Sequence, residues 1–124
     1  MKKQANKYEA GMTGQLQAEK FLQNKNYRIL ERNFRAKTGE IDLIAQCESY
    51  IVFIEVKYRR SLKHGYPGES VGRAKQQRLQ QTALHYISSH GLVEQDFRFD
   101  VVEVLEKGGQ MLVNHIENAF DHGN

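Results

Sequence analysis

The chain has 124 residues, 40% of them apolar, and a formal net charge of +3, which is typical of one globular domain spanning residues 1–124. A single cysteine, Cys47, excludes an internal disulfide and a cysteine-based zinc site, and it suits a reducing cytoplasm. No apolar run approaches the length of a membrane span or forms the core of a signal peptide, so we predict a cytoplasmic protein with no membrane partner.

The two parts of the chain differ in charge. Residues 1–80 contain 16 of the 18 basic residues and carry a net charge of +8, whereas residues 81–124 carry −5. A basic surface of this kind favours binding to a polyanion such as nucleic acid. A basic face that only contacts solvent is the alternative, and charge alone leaves both open.

A helix and then a strand are predicted at the start of the chain. Residues 1–10 form a basic leader that we expect to be mobile, and a helix is predicted from Met12 to Asn24 with Thr13 as its N-cap. Glu19 lies at the edge of the apolar stripe, where a solvated carboxylate is the ordinary interpretation. That stripe contains Ala18, Phe21 and Leu22. Tyr27–Phe34 predicts the first strand, which leads into a basic cluster of Arg32, Arg35 and Lys37.

The next two strands each contain an unexplained charge. The apolar runs Ile41–Ala45 and Ile51–Val56 are interrupted by one carboxylate each, Asp42 in the first and Glu55 in the second. Burying a charge is costly unless something compensates it. Two such carboxylates on neighbouring strands therefore indicate a cation between them.

The register of this hairpin follows from its loop. If Cys47 and Tyr50 face each other across a symmetric turn, Asp42 faces Glu55, and opposed residues have Cβ atoms about 4.5–5.5 Å apart. The strand period of two places Lys57 on the same face as Glu55. A one-residue bulge would break this register.

A basic loop and a long helix follow the hairpin. The loop contains Arg59, Arg60 and Lys63 as candidate phosphate contacts. The helix is predicted from Val71 to Ser88, with Ser70 as its cap and an apolar stripe formed by Leu79, Ala83, Tyr86 and Ile87. Lys75 shares a side with this stripe and should lean towards the sheet, with Arg73 and Arg78 placed to flank a bound strand. An ordinary amphipathic helix with solvated basic side chains is the alternative.

Two strands complete the chain, Phe97–Leu105 and Met111–Ile116. Because a helix connects the hairpin to Phe97–Leu105, the strands on either side of it should be parallel, in a mixed sheet covered by helices on both faces. Asp100 interrupts the first of these strands, and we expect it to be structural, paired with Arg98 or with a backbone amide.

These motifs resemble a known superfamily. Asp42, twelve residues and then Glu55-Val56-Lys57 resemble the D-x(n)-(D/E)-x-K signature of the PD-(D/E)XK nucleases, whose restriction endonuclease-like core has the order αβββαβ. The resemblance is closer still to the YraN family of uncharacterised bacterial proteins, and it extends from about Gly11 to Phe120. The segments that carry it are Ala18-Glu19, GEIDLIA at 39–45, FIEVKYR at 53–59, RFDVV at 98–102 and I-x-NAF at 116–120. Archaeal-type Holliday junction resolvases are similar characterised proteins.

The resemblance implies a role for each site residue. Asp42, Glu55 and the carbonyl of Val56 would bind Mg²⁺ or Mn²⁺, with Glu19 as an added acid. Lys57 would be the catalytic lysine, and Lys75 an auxiliary residue on the following helix. Ile41 stands where the superfamily's name has a proline.

The expected activity is metal-dependent endonuclease cleavage of nucleic acid, with branched or structured DNA as the substrate. By analogy with resolvases, a homodimer is the expected assembly. One alternative is a nucleic-acid-binding domain that retains the fold without cleavage. The other is a protein-interaction domain in which the charges form a buried ion-pair network, although its excess negative charge disfavours that interpretation.

Overall fold

The computed structural model describes residues 7–59 and 71–120, apart from the side chains of residues 7–12. Two helices, α1 (Lys7–Asn24) and α2 (Arg73–Ser89), accompany five strands. The strands are β1 (Arg28–Ala36), β2 (Gly39–Cys47), β3 (Tyr50–Arg59), β4 (Asp96–Lys107) and β5 (Gln110–Ile116). Among the described residues, no helix is long and apolar enough to cross a membrane.

The five strands form one mixed sheet in the order β1-β2-β3-β4-β5. Neighbouring strands are antiparallel except β3 and β4, which are parallel and are connected through α2. The predicted restriction endonuclease-like order αβββαβ, with a mixed sheet flanked by helices, is therefore confirmed, and β5 adds the last predicted strand at the edge.

Both helices begin at residues other than those predicted. α1 begins at Lys7, so the last part of the predicted leader is helical and Thr13 lies inside the helix. Apolar periodicity marks only the part of a helix that packs on the core, which is why the prediction began too late. The predicted N-cap at Ser70 is wrong, because the N-cap of α2 is Gly72, which has no side chain to cap the helix. Ser70 and residues 1–6 lie outside the described residues.

The predicted hairpin register is confirmed from Cys47–Tyr50 to Leu43–Ile54, whereas the predicted pair Asp42–Glu55 is not among the backbone pairs. β2 and β3 pair from Cys47–Tyr50 to Leu43–Ile54 without a bulge. Each of these pairs joins the two residues that a symmetric turn, with Cys47 facing Tyr50, places opposite each other. The next residues along the two strands are Asp42 and Glu55.

The two helices cover opposite faces of the sheet. The α2 face is the side on which Ile44, Phe53, Phe99 and Val101 pack under Leu79, Ala83, Tyr86 and Ile87. The α1 face is the side on which Leu43, Val52, Ile54, Val102 and Val104 pack under Ala18 and Leu22. Both predicted apolar stripes pack on the core, with Phe21 of α1 only partly buried.

α1 approaches the sheet closely at Gly14. A Cβ atom at this position would lie 2.8 Å from Cδ2 and 2.9 Å from Cβ of Tyr58 on β3. Only glycine allows this approach without displacement of α1 or of the tyrosine ring. Because α1 also carries Glu19, the contact helps to set the position of that carboxylate.

A buried ionic network surrounds Asp100 of β4, which lies opposite Ile54 of β3. Asp100 accepts hydrogen bonds from Arg98 (3.1 Å), from Nε2 of His115 (2.7 Å) and from the backbone N–H of Asn118 (3.1 Å). Burial alone would raise the pKa of Asp100, but these bonds hold it below its usual value. Lys25 can only donate to Nδ1 of His115, so Nε2 carries the proton that is donated to Asp100. The expected structural role of Asp100 is confirmed.

Candidate metal centre and nucleic-acid interface

The candidate metal centre lies where β2 departs from regular alternation. Ile41 packs on the α2 face, whereas Leu43 packs on the α1 face, although a regular strand would place both on one face. Asp42 lies between them, and its Oδ2 accepts a 2.8 Å hydrogen bond from the backbone N–H of Val56. The carboxylate thus extends the contact between β2 and β3 beyond their last backbone pair, Leu43–Ile54.

Glu55 lies on β3 beside this point. Phe53, two residues earlier, packs on the α2 face, so alternation directs Glu55 to the same face. Its side chain is only 10% exposed and forms an ion pair with Lys75 of α2, whose own side chain is 48% exposed. Lys75 therefore leans towards the sheet, as its helical position predicted.

The Glu55 carboxylate influences the ionisation of Asp42. Burial, together with repulsion from Glu55, raises the pKa of Asp42 to about 6. The N–H of Val56 and the ammonium of Lys75 act in the opposite direction but do not cancel the effect. At neutral pH Asp42 is therefore ionised in an environment that resists its negative charge, and a cation beside it would relieve this cost.

Lys57 continues the row of side chains that begins with Glu55. It is half-buried and, by alternation, lies on the α2 face with Glu55 and Arg59. The structure therefore brings Glu55, Lys57 and Lys75 to one face, with Asp42 at its edge.

Glu19 is held elsewhere. It belongs to α1, whose buried residues pack on the opposite face, and it is itself 6% exposed. Its Oε1 accepts a 2.7 Å bond from Arg32 of β1, so it is not the solvated carboxylate that the sequence favoured. Within residues 7–59 and 71–120, no three His, Cys, Asp or Glu side chains are grouped to hold a metal ion.

A polar network that the sequence did not predict lies beside Asp42. Asn33 exchanges two amide hydrogen bonds with Gln15 of α1, at 2.9 and 3.2 Å, and donates a 3.1 Å bond to Glu40. Its φ of 52° is left-handed, a conformation that asparagine tolerates better than most residues. An asparagine within the alternating segment of β1 was the feature of the sequence that could have indicated this network.

Three of the predicted nucleic-acid contacts lie around the turn between β1 and β2. Thr38 in that turn is 2.7 Å from Thr82 of α2, hydroxyl to hydroxyl, so the turn packs against the helix. This contact brings two sequence-distant groups of basic residues to the same part of the surface. These exposed residues are Arg35 and Lys37 near the turn and Arg78, one helical turn before Thr82; Arg73 is exposed at the start of α2.

The remaining predicted contacts are less informative. Arg35 also forms a 3.5 Å ion pair with Glu40, which reduces the local positive charge. Arg59 is half-buried at the end of β3. Arg60 and Lys63 lie outside the described residues.

Comparison with known proteins gives a family and distant structural matches. The family model described as "Uncharacterised protein family UPF0102" matches residues 14–104. A UPF0102 protein of Alkaliphilus metalliredigens is 47% identical over 110 residues, which cover 89% of this chain and 96% of that protein. The crystal structure of SSO0001 matches 95% of this chain with a TM-score of 0.44 and 20% identity. The structure of Pyrococcus furiosus SfsA in complex with Ca²⁺ matches 86% with a TM-score of 0.40 and 13% identity. This chain spans 55% and 63%, respectively, of those two chains.

Proposed function

This chain belongs to the UPF0102 family, the YraN family that its motifs resemble, and we propose that it is a metal-dependent endonuclease that hydrolyses phosphodiester bonds in structured DNA. One observation carries the proposal: Asp42 and Glu55 lie together on adjacent strands, with Lys57 on the same face as Glu55. An unusual pair of interacting carboxylates in a partly buried place is typical of a functional site.

The donor groups fit Mg²⁺ or Mn²⁺. Both ions prefer carboxylate and carbonyl oxygens and commonly take only one or two protein carboxylates, the rest of the shell being water and substrate phosphate. The N–H and C=O of a strand residue point to the same edge, so the carbonyl of Val56 faces the side from which Asp42 approaches. Asp42, Glu55 and this carbonyl would hold the ion, and Glu19 would join them only by leaving Arg32.

The lysines would act on the phosphate. A bound divalent ion would lower the pKa of a coordinated water molecule and compensate negative charge on the scissile phosphate. The ammonium of Lys57 stabilises the negative charge that develops on the phosphate oxygens, because it projects from the same face as Glu55. Lys75, which pairs with Glu55, would become available to a substrate phosphate if a metal ion took its place beside that carboxylate.

The basic residues around the β1–β2 turn would bind the backbone of the substrate. Arg35, Lys37 and Arg78 are exposed where the turn packs against α2, and Arg78 lies one helical turn after Lys75, the partner of Glu55. Such contacts supply affinity and orientation without sequence specificity.

Incubation of the protein with single-stranded, flapped and four-way-junction DNA in Mn²⁺ or Mg²⁺ tests the proposal. We expect cleavage of at least one of these substrates, reduced by about a hundredfold or more in Glu55→Ala and in Lys57→Ala. Glu48→Ala, at an exposed position in the β2–β3 turn, is the matched control and should cleave normally. Cleavage that survives both site substitutions would identify a contaminant, and no cleavage of any substrate would refute the proposal.

Metal binding has its own test. Calorimetric titration with Mn²⁺ should give a binding signal that Asp42→Ala and Glu55→Ala each abolish and Glu48→Ala retains. Unchanged binding in either site variant would contradict the assigned ligands.

Nucleic-acid binding without cleavage is the second candidate function. Two ion pairs favour it. Glu19 is held by Arg32 away from the site, so only Asp42 and Glu55 remain there, and Glu55 already has Lys75 as its cationic partner. Affinity would then fall steeply with salt, without dependence on a divalent ion. Double substitution of Arg35 and Arg78 by alanine should make the plot of log affinity against log salt concentration less steep, by about one in slope for each arginine.

A further inference from the structure

We propose that Glu103 is a positioning residue for Lys57, holding the lysine ammonium in place beside the site; the inference rests on the endonuclease function proposed above. Glu103 belongs to β4 and lies outside every motif that pointed to the site. Its role follows from the register of the parallel pair of strands.

The register places Glu103 next to Lys57. β3 and β4 pair in parallel with Glu55 opposite Val101 and Lys57 opposite Glu103. Val101 packs on the α2 face, so alternation directs Glu103 to that face, where Lys57 also lies. Neighbouring strands are about 4.8 Å apart, a separation that a lysine and a glutamate side chain can bridge easily.

Glu103 is a buried carboxylate, which a nearby cation would stabilise. The residue is 3% exposed, and its Oε1 accepts a 3.0 Å hydrogen bond from Nδ2 of Asn114, its partner on β5. The amide of Asn114 is uncharged, and a buried carboxylate is stabilised most by a neighbouring cation. Lys57 is the cationic residue in register with it on the other side.

The consequence concerns the role of Lys57. A long flexible side chain loses considerable rotamer entropy when it is held in one orientation. A fixed carboxylate beside the lysine restricts it before substrate arrives and keeps its ammonium available to stabilise charge on the phosphate. Asn114 in turn orients Glu103, so one row of side chains crosses β3, β4 and β5 to the site.

A double-mutant cycle in urea unfolding tests the contact without reference to cleavage. Glu103→Gln keeps an oxygen for Asn114 and removes the charge, and Lys57→Met removes the ammonium. We expect the effects of the two substitutions to be non-additive, by about tenfold in the unfolding equilibrium constant. Additive effects would overturn the proposal. So would non-additivity found with Arg59→Met, which removes the next cation along this face of β3, in place of Lys57→Met.

Kinetics test the positioning role. Glu103→Gln should lower kcat by about tenfold, leave KM and the Mn²⁺ dissociation constant unchanged, and have no further effect in the Lys57→Met background. Glu103→Asp, which restores the charge, should recover part of the loss. A change in Mn²⁺ affinity with unchanged kcat would overturn the role. If the wild-type protein cleaves nothing, the endonuclease proposal fails, whereas the unfolding cycle still decides whether Glu103 and Lys57 are coupled.

Discussion

Replacing Asp42 with asparagine should stabilise the metal-free protein at neutral pH. Asparagine has nearly the same shape and keeps an oxygen that accepts the N–H of Val56, so the substitution removes mainly the charge. Burial and the Glu55 carboxylate raise the pKa of Asp42 from its ordinary value of 3.8 to about 6. The fold therefore disfavours the ionised carboxylate that metal binding requires.

The sign and size of the effect follow from proton linkage. Between pH 3.8 and about 6 the folded protein retains a proton that the unfolded chain has released, so wild-type stability falls as pH rises through this range. At about 1.4 kcal/mol per pKa unit, and with some relief from solvent at this partly exposed side chain, Asp42 costs about 2–3 kcal/mol above pH 6. Asp42→Asn should be more stable than wild type by that amount there, and equal to it below about pH 4.

Urea unfolding followed by circular dichroism, with EDTA present, measures this difference between about pH 4 and about pH 8. Asp96→Asn, at an exposed position at the start of β4, is the matched control and should show no comparable pH-dependent difference from wild type. A difference for Asp42→Asn that does not vary with pH would refute the reasoning, as would a wild type that is the more stable protein above pH 6.

Three further substitutions test the packing and the site. Gly14→Ala should lower the unfolding free energy by about 1–3 kcal/mol in thermal denaturation, because the added methyl group overlaps the side chain of Tyr58. Arg98→Met should lower it by about 3 kcal/mol in urea unfolding, because it removes the guanidinium partner of the buried Asp100 carboxylate. Lys75→Met should tighten Mn²⁺ binding about tenfold in calorimetry while slowing cleavage, because the ammonium no longer competes with the ion for its carboxylate partner.

Each of these substitutions has a control. Gly72→Ala adds a methyl group where nothing lies within 4 Å, Arg28→Met removes an exposed arginine from β1, and Lys20→Met removes an exposed lysine from α1. A control with the same effect as its partner would contradict the specific contact that is claimed. Weaker Mn²⁺ binding in Lys75→Met would show that the lysine supports the metal site instead of competing with it.

The hairpin that carries Asp42 and Glu55 could be predicted because its determinants are local. A tight turn sets the register, alternation sets the faces, and both act over a few residues, so the pairs from Cys47–Tyr50 to Leu43–Ile54 followed from the sequence. The departure from alternation at Asp42 could not be predicted, since it appears only in the way Ile41 and Leu43 pack on opposite faces.

The position of Glu19 depended on packing between distant segments. Its position on the predicted helix was compatible with a solvated carboxylate or with a metal ligand. Position on a helix does not identify the residue that a side chain contacts. The close approach of α1 at Gly14 brings it instead to Arg32 on β1, where the ion pair satisfies a buried charge.

By itself, the sequence determined the order of helices and strands, the register of the β2–β3 hairpin and the family, because turn chemistry, apolar periodicity and motif spacing are properties of short segments. Only the tertiary structure decided which charges neighbour one another. Lys75 meets Glu55 through the packing of α2, and Lys57 lies opposite Glu103 through the register of two parallel strands that a long connection separates. No local pattern specifies such a register, because it is set by how the whole crossover packs against the sheet.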